Sequence, residues 1–375
     1  MSNIVVSGTG SASLSALIQQ YYMPVLYDNI FKKSHPLLAI LKAKAKTFNG
    51  RDIVVPVEYA SGGLSAWGDK HTLGTAYAPA IAEIAMTASY QPSMLTGHFL
   101  LTKEETLLMN SPQAIKNIVS AKVKNLQKGL EKSVAENLYV TVPAEDAWAP
   151  ISGLLSAGSY VDDDSPANTI HVGGIDAGSY NWWKTPVLGA SSFSDATGEH
   201  TTQSPQVADY LKEADLVDSA KNTYILKVLA KGVANAKAQT GENPDLIMVP
   251  QYLFDLIENE IDPRKQGSKM SERMGSMGFT GLNFRGIDIV ADQDMVTAQA
   301  TSGATEHFDG KIYFINTNYL NMFFNSGAKF TASDMIEDVR SNTFVQKVHA
   351  YGNLVVTNRK AHCVVTDLYS PNDYA

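Results

Sequence analysis

Cysteine is nearly absent. Cys363 is the one such residue in 375, so no intrachain disulfide can form and a reducing compartment is expected. Charge is sparse: Asp, Glu, Lys and Arg make up 18% of the chain, and the net charge is −8. A reader of nucleic acid needs clustered Lys and Arg for its phosphate contacts, and this balance argues against one. Long apolar runs are missing, with nothing near the ~20 residues that a bilayer-spanning helix requires. Met1 to Leu14 lacks a positive segment followed by an apolar one, so no secretory signal is expected. The expectation is a soluble protein, intracellular when made, with no membrane partner.

Motifs that carry chemistry are missing too. No Gly-x-x-x-x-Gly-Lys-Ser/Thr occurs, and Gly8-Thr9-Gly10 has two glycines with no strand before them. Gly275-Ser276-Met277-Gly278 misses the spacing of a nucleophile elbow. The eight histidines show no His-x-x-x-His, and Cys-x-x-Cys is impossible, so no metal is expected. Asp162, Asp163 and Asp164 lack the glycine and terminal glutamate of a calcium loop. His362 and Cys363 are neighbours, which on a strand face opposite ways, so they read as structural rather than as a base and a nucleophile. Trp182 and Trp183 read as core anchors before ligand platforms. The reading is no enzyme and no cofactor.

What is present is core-forming and asymmetric. Apolar residues reach 44%, ample for two or three domains. Residues 1–140 carry 13 basic and 9 acidic side chains, leaving the remainder at −12, a split that suits contacts between copies of one subunit. Leu14 to Phe31 carries apolar and aromatic residues broken by Pro24, and Leu37 to Leu41 adds an apolar turn before Lys42, Lys44 and Lys46. With no evident core of its own, this arm is expected to serve a neighbouring surface. Ile53 to Tyr59 is β-branched, but Pro56 confines it to an edge or hairpin whose partner lies within Ile81 to Leu101. The glycine-rich 61–80 between them reads as a projecting tip, because a structureless loop of that length has no place inside a compact domain.

The clearest helix opens at Ser111-Pro112 and runs to Tyr139, with Ile115, Ile118, Val119, Leu126, Leu130, Val134 and Leu138 on one face and Lys116, Lys124, Lys128 and Lys132 on another. Further helices are expected over 207–237 and 252–261, and strands over 245–249, 284–290 and 311–315. Thr343 to Leu368 reads as two strands about a Gly352-Asn353 turn. This order of elements is α+β rather than alternating βαβ.

Three stretches together carry a resemblance. They are Phe31-Lys32-Lys33-Ser34-His35-Pro36-Leu37-Leu38 leading to Gly50-Arg51-Asp52-Ile53-Val54-Val55-Pro56, then Gly173-Gly174-Ile175-Asp176 with Trp182-Trp183, then Tyr351-Gly352-Asn353-Leu354-Val355-Val356-Thr357-Asn358. In order and spacing the chain resembles the major capsid proteins of tailed bacteriophages. Ala177 and Gly178 depart from it, standing where such proteins often carry arginine and a small polar residue.

The resemblance implies the α+β capsid fold shared by tailed phages and encapsulins. It implies an N-terminal arm over 1–49, an extended β-hairpin loop over 50–100, and a peripheral domain over 101–206 whose spine helix is 112–139. An axial domain would follow over 207–334, with return strands of the peripheral domain over 335–375. The implied function is a shell subunit that self-assembles into pentamers and hexamers of an icosahedral capsid. The implied partners are other copies, a separate scaffolding protein, a portal and decoration proteins. DNA would be enclosed without sequence-specific binding, in a virion assembled in the host bacterial cytoplasm. Candidate contacts between subunits are Tyr21, Tyr22, Phe31, Lys32 and Lys33 of the arm, Arg51 at the hairpin base, and Trp67 and Lys70 at its tip.

Some capsids of this fold join a loop lysine to an asparagine on a neighbour beside a glutamate. Lys70, Asn353 or Asn358, and Glu58, Glu83 or Glu104 are the ingredients here, but too ordinary a set to form a motif, so no cross-link is expected. Two other readings stand beside the capsid: an encapsulin-like compartment shell, and an α+β enzyme with an unrecognised site.

Overall fold

The computed structural model describes residues 35–60, 83–104, 112–140, 147–155, 160–161, 170–189, 216, 224–260, 281–295, 310–338 and 342–368. Helix α1 (Pro36–Ala43) has proline in its first turn, where a missing N–H costs nothing. Leu37, Leu38, Ile40 and Leu41 are each 3% exposed or less. The expectation that this turn serves a neighbour is thus corrected for residues 36–43, whose apolar side chains lie in the chain's own core. The lysines beyond are engaged locally. Lys42 pairs with Glu131 at 2.5 Å, Lys44 donates to the Thr317 hydroxyl, and Lys46 lies over the Phe323 ring.

Strand β1 (Lys46–Phe48) runs parallel to β13 (Leu320–Asn325). β2 (Ile53–Glu58) and β3 (Ala85–Tyr90) form a separate antiparallel ribbon with Pro56 opposite Thr87, the exposed placement that a strand proline requires. β4 (Ser93–Thr102) leaves the ribbon and lies along β16 (Thr343–Val356). The other edge of β16 receives β15 (Ile336–Asp338), β14 (Thr331–Ala332) and β13, completing a six-stranded sheet.

Gly352-Asn353 reads in sequence as a turn, and the structure corrects this, because β16 runs unbroken through both residues. Gly352 pairs with Ser93 on one side and Phe324 on the other, and a Cβ there would lie 2.2 Å from the Phe323 carbonyl oxygen. A strand glycine can mark close backbone approach as well as a turn. Asn353 is a strut: it accepts from the Ala149 N–H at 2.8 Å and donates to the Gln91 carbonyl at 2.7 Å.

The long helix α2 (Pro112–Asn137) packs on β4. Leu130, Val134 and Leu138 are buried, in the expected phase. Gly97 on β4 opens room for this contact, since a Cβ there would come within 2.7 Å of Leu126 Cδ1. The short helix α3 (Ile151–Leu154) and a small sheet of β5 (Tyr160–Val161), β6 (Ile170–Val172) and β7 (Ile175–Asp176) follow.

The second six-stranded sheet has the order β10-β11-β9-β12-β17-β8. Its strands are β8 (Val187–Leu188), β9 (Leu246–Val249), β10 (Gly281–Phe284), β11 (Ile287–Ala291), β12 (Gly310–Ile315) and β17 (Cys363–Leu368). Helices α4 (Ile225–Thr240) and α5 (Gln251–Glu260) pack on one face. The expected helix over 207–237 lies partly outside the described residues. Gly241, at φ 75°, ends α4 with its N–H on the Lys237 carbonyl. The expected single strand over 284–290 is corrected to a hairpin, with Arg285 and Gly286 both at positive φ in a two-residue turn.

Alternation divides this sheet between two cores. Leu246, Met248, Tyr313, Ile315 and Val364 face the core shared with the first sheet, while Ile247, Val249, Ile312, Phe314, Cys363 and Val365 face α4 and α5. β17 therefore joins the second sheet, whereas β13 joins the first.

Candidate assembly surfaces

The Gly173–Trp183 block packs along the β2–β3 ribbon, from Tyr90 at its base to Tyr59 just past β2. Gly173 and Gly174, at φ 63° and 71°, make the tight turn between β6 and β7. A Cβ on Gly173 would lie 2.9 Å from that of Ala88 and 3.0 Å from the Tyr90 ring, so the turn sits flush on β3. The Ser89 N–H donates to the Gly173 carbonyl at 2.9 Å. Asp176 accepts from the Ser179 hydroxyl and from the backbone N–H groups of Gly178 and Ser179. These bonds, the hydroxyl foremost, hold its carboxyl below the usual range. Ala177 is fully buried.

The tryptophans divide their work. Trp183 is 1% exposed and donates from its indole to the Val172 carbonyl at 2.9 Å. Trp182 stacks on Tyr59, just past β2, with ring centroids 4.9 Å apart and planes 12° apart. Tyr90 donates to the Val356 carbonyl at 2.7 Å, tying the ribbon to the first sheet. One residue here gave no sequence signal. Arg359 is completely buried and donates to the carbonyls of Leu154 at 2.8 Å and Trp183 at 3.0 Å. A single Arg among thirty basic residues has no pattern to announce it.

With its base fixed, the ribbon shows an outer face with Val54 at 56% exposure, and Ile84, just before β3, is 50% exposed. The outward face of the first sheet shows Met94, Leu100 and Ile336, the last at 65%. Leu100 and Ile336 flank Val345 in register, with His98 and Lys347 paired beside them. Sequence reasoning missed this apolar strip, although the alternation of β4 could have shown that both of its faces carry apolar residues. Of the candidate contacts, Arg51 is exposed at the start of the ribbon. Tyr21, Tyr22, Phe31, Lys32, Lys33, Trp67 and Lys70 lie outside the described residues.

No reacting constellation forms among the described residues. His362 is fully buried, and its Nδ1 accepts from the Asn316 N–H at 3.2 Å. Burial lowers its pKa to about 3, and burial pushes the Cys363 thiol up to about 12, so neither is poised for nucleophilic chemistry near neutrality. No group of three or more His, Cys, Asp and Glu could hold a metal ion among the described residues. No helix there is long and apolar enough to cross a membrane. Asn353, an ingredient of the cross-link, is 6% exposed with its amide engaged at both ends.

Comparison with solved structures defines the fold. The cyanophage A-1(L) capsid asymmetric unit matches with a TM-score of 0.61 at 14% identity, covering 95% of this chain and 98% of that one. The capsid of an empty GTA particle matches at 0.53 and 10% identity, covering 97% and 100%. The capsid of Myoviridae phage XM1 matches at 0.52 and 12%, covering 96% and 99%. No protein-family model matches the sequence, and no curated protein does. The chain has the α+β fold of tailed-phage major capsid proteins.

Proposed function

We propose that this chain is a shell subunit that self-assembles into pentamers and hexamers of an icosahedral capsid enclosing DNA. The observation that carries the reading is the end-to-end likeness: three capsid chains are covered almost whole while this chain is covered almost whole. A shared core alone would leave arms and loops unmatched. The exposed apolar residues on the ribbon and the first sheet support it, because such faces on a folded subunit suit burial between copies. Flexible extensions would absorb the difference between five-fold and six-fold surroundings.

In this reading residues 1–49 act as the N-terminal arm, although α1 at its end is core, and 50–100 act as the extended loop. The strand pairings favour grouping β4, β13 and β16 with the spine helix as the peripheral unit, and β8 to β12 with β17 as the axial unit. Copies of the chain are the first partners; a scaffold, a portal and decoration proteins are the further ones. The location is the virion, after assembly in the host cytoplasm. Co-expression with the scaffold, followed by electron microscopy and light scattering, should give closed particles. A stable 40.6 kDa monomer under all conditions would refute the proposal.

A further inference from the structure

Residues far apart in the chain meet at the end of the second sheet. Asp292 directly follows β11, and its N–H donates to the Val249 carbonyl at the end of β9 at 3.0 Å. Its carboxylate accepts from the Tyr139 hydroxyl, just beyond α2, at 2.9 Å, and from the Asp294 N–H at 3.0 Å. Asp294 is fully buried, and its Oδ2 lies 2.6 Å from Nδ1 of His35. His35 is the N-cap residue of α1, but its side chain makes no capping bond there and reaches the carboxylate instead. Tyr313 of β12 completes the surroundings, with its ring 6.2 Å from that of Tyr139. Two buried carboxylates thus join α1, the end of α2 and the second sheet.

We propose that His35, Asp292, Asp294 and Tyr139 form a proton-operated tie that holds α1 to the second sheet, tight when Asp292 is protonated and slack when it is ionised. With Asp292 protonated, the two buried carboxyl groups carry one negative charge between them, and it lies beside His35. With Asp292 ionised, two negative charges share a buried site, which is costly. Burial, reinforced by the charge of Asp294, raises Asp292 to about 6, while the bonds from the Asp294 N–H and Tyr139 and the charge of His35 act in the opposite sense. The sign follows from linkage. The folded carboxyl binds its proton more tightly than an unfolded one near 3.9. Its ionisation therefore weakens the native state as pH rises through about 6, and the penalty vanishes below about 4. Asp292 is therefore the group whose proton sets the tie, and its replacement by asparagine removes the switch. Tyr139 is held protonated, its pKa raised well above the usual value by burial, and remains a donor throughout.

The test is hydrogen exchange of the α1 amides in the full-length chain at pH 5.5 and 8.0, corrected for intrinsic rates, with α5 as internal reference. It reads an intrachain contact and is independent of whether shells form. The wild type should open α1 several-fold more often at pH 8.0, and Asp292→Asn should abolish that difference and protect α1 at both. Tyr139→Phe removes a donor to the ionised carboxylate, so the midpoint should move to higher pH. Equal protection of the wild type at both pH values would overturn the proposal, as would full pH dependence in Asp292→Asn. If Asp292→Asn does not fold, an unmoved midpoint in Tyr139→Phe overturns it.

Discussion

Gly97→Ala probes the seat of α2 on β4. The added Cβ would lie 2.7 Å from Leu126 Cδ1 and 3.2 Å from Leu130 Cδ2, closer than the 3.4 Å at which ordinary contact begins. Both obstructing atoms end flexible side chains, so the leucines can move, and overpacking of this size costs about 1–3 kcal/mol. Replacing a strand glycine returns about 0.5–1 kcal/mol by reducing the freedom of the unfolded chain. The expected net loss is about 0.5–2 kcal/mol. Leu126→Ala, at a half-buried position, should cost about 1–3 kcal/mol by itself. In the double variant the new methyl enters the vacated space, so the two losses should fall short of additivity by about 1 kcal/mol. Urea midpoints of the unassembled subunit, followed by circular dichroism for both single variants and the double, measure that coupling. Strict additivity, or a Gly97→Ala variant as stable as the parent, would mean that the helix does not rest on β4 at this point.

Other expectations test other links. Gly352→Ala meets a backbone oxygen at 2.2 Å rather than a movable side chain, so it should cost several kcal/mol and sharply reduce folded yield; a normal yield would refute the close approach. His362 is neutral and buried with a pKa of about 3, below the ordinary 6.5. Its contribution is whole above pH 6.5 and is lost as pH falls towards 3, by about 1.4 kcal/mol per unit. His362→Gln should therefore lower the pH of acid unfolding, and an unchanged midpoint would show that another group governs it. Boiled denaturing electrophoresis of mature particles should give one band at the monomer mass, because the Asn353 amide is already engaged; a ladder abolished by Lys70→Ala would contradict this.

Periodicity made the spine legible. Leu130, Val134 and Leu138 recur at helical spacing and are buried as that spacing requires. Pro56 likewise points to a ribbon, and its partner, Ala85–Tyr90, lies within the expected Ile81 to Leu101. Two misreadings came from residues that solve more than one problem. Gly352 satisfies a close strand approach with the same missing Cβ that a turn would use, and sequence carries no sign of which demand applies. Leu37 to Leu41 show no core in the sequence because β13, the strand that packs on them, lies in the last sixth of the chain. The apolar strip of Leu100, Val345 and Ile336 exists only once three separated segments come into register.

The placement of β16 also sets the order of events during synthesis. Its partners, and those of β1, bridge great stretches of sequence: Asn49 bonds Ser326 across 277 residues, and Asn353 bonds Gln91 across 262. At about 5–20 residues per second, a ribosome takes roughly 20–70 s to reach Val356. For most of that interval the four apolar side chains of α1 can pack on α2 but lack the cover of β13. The outward face of the first sheet is likewise not assembled until its central strand has emerged, so that surface exists only on a nearly finished chain.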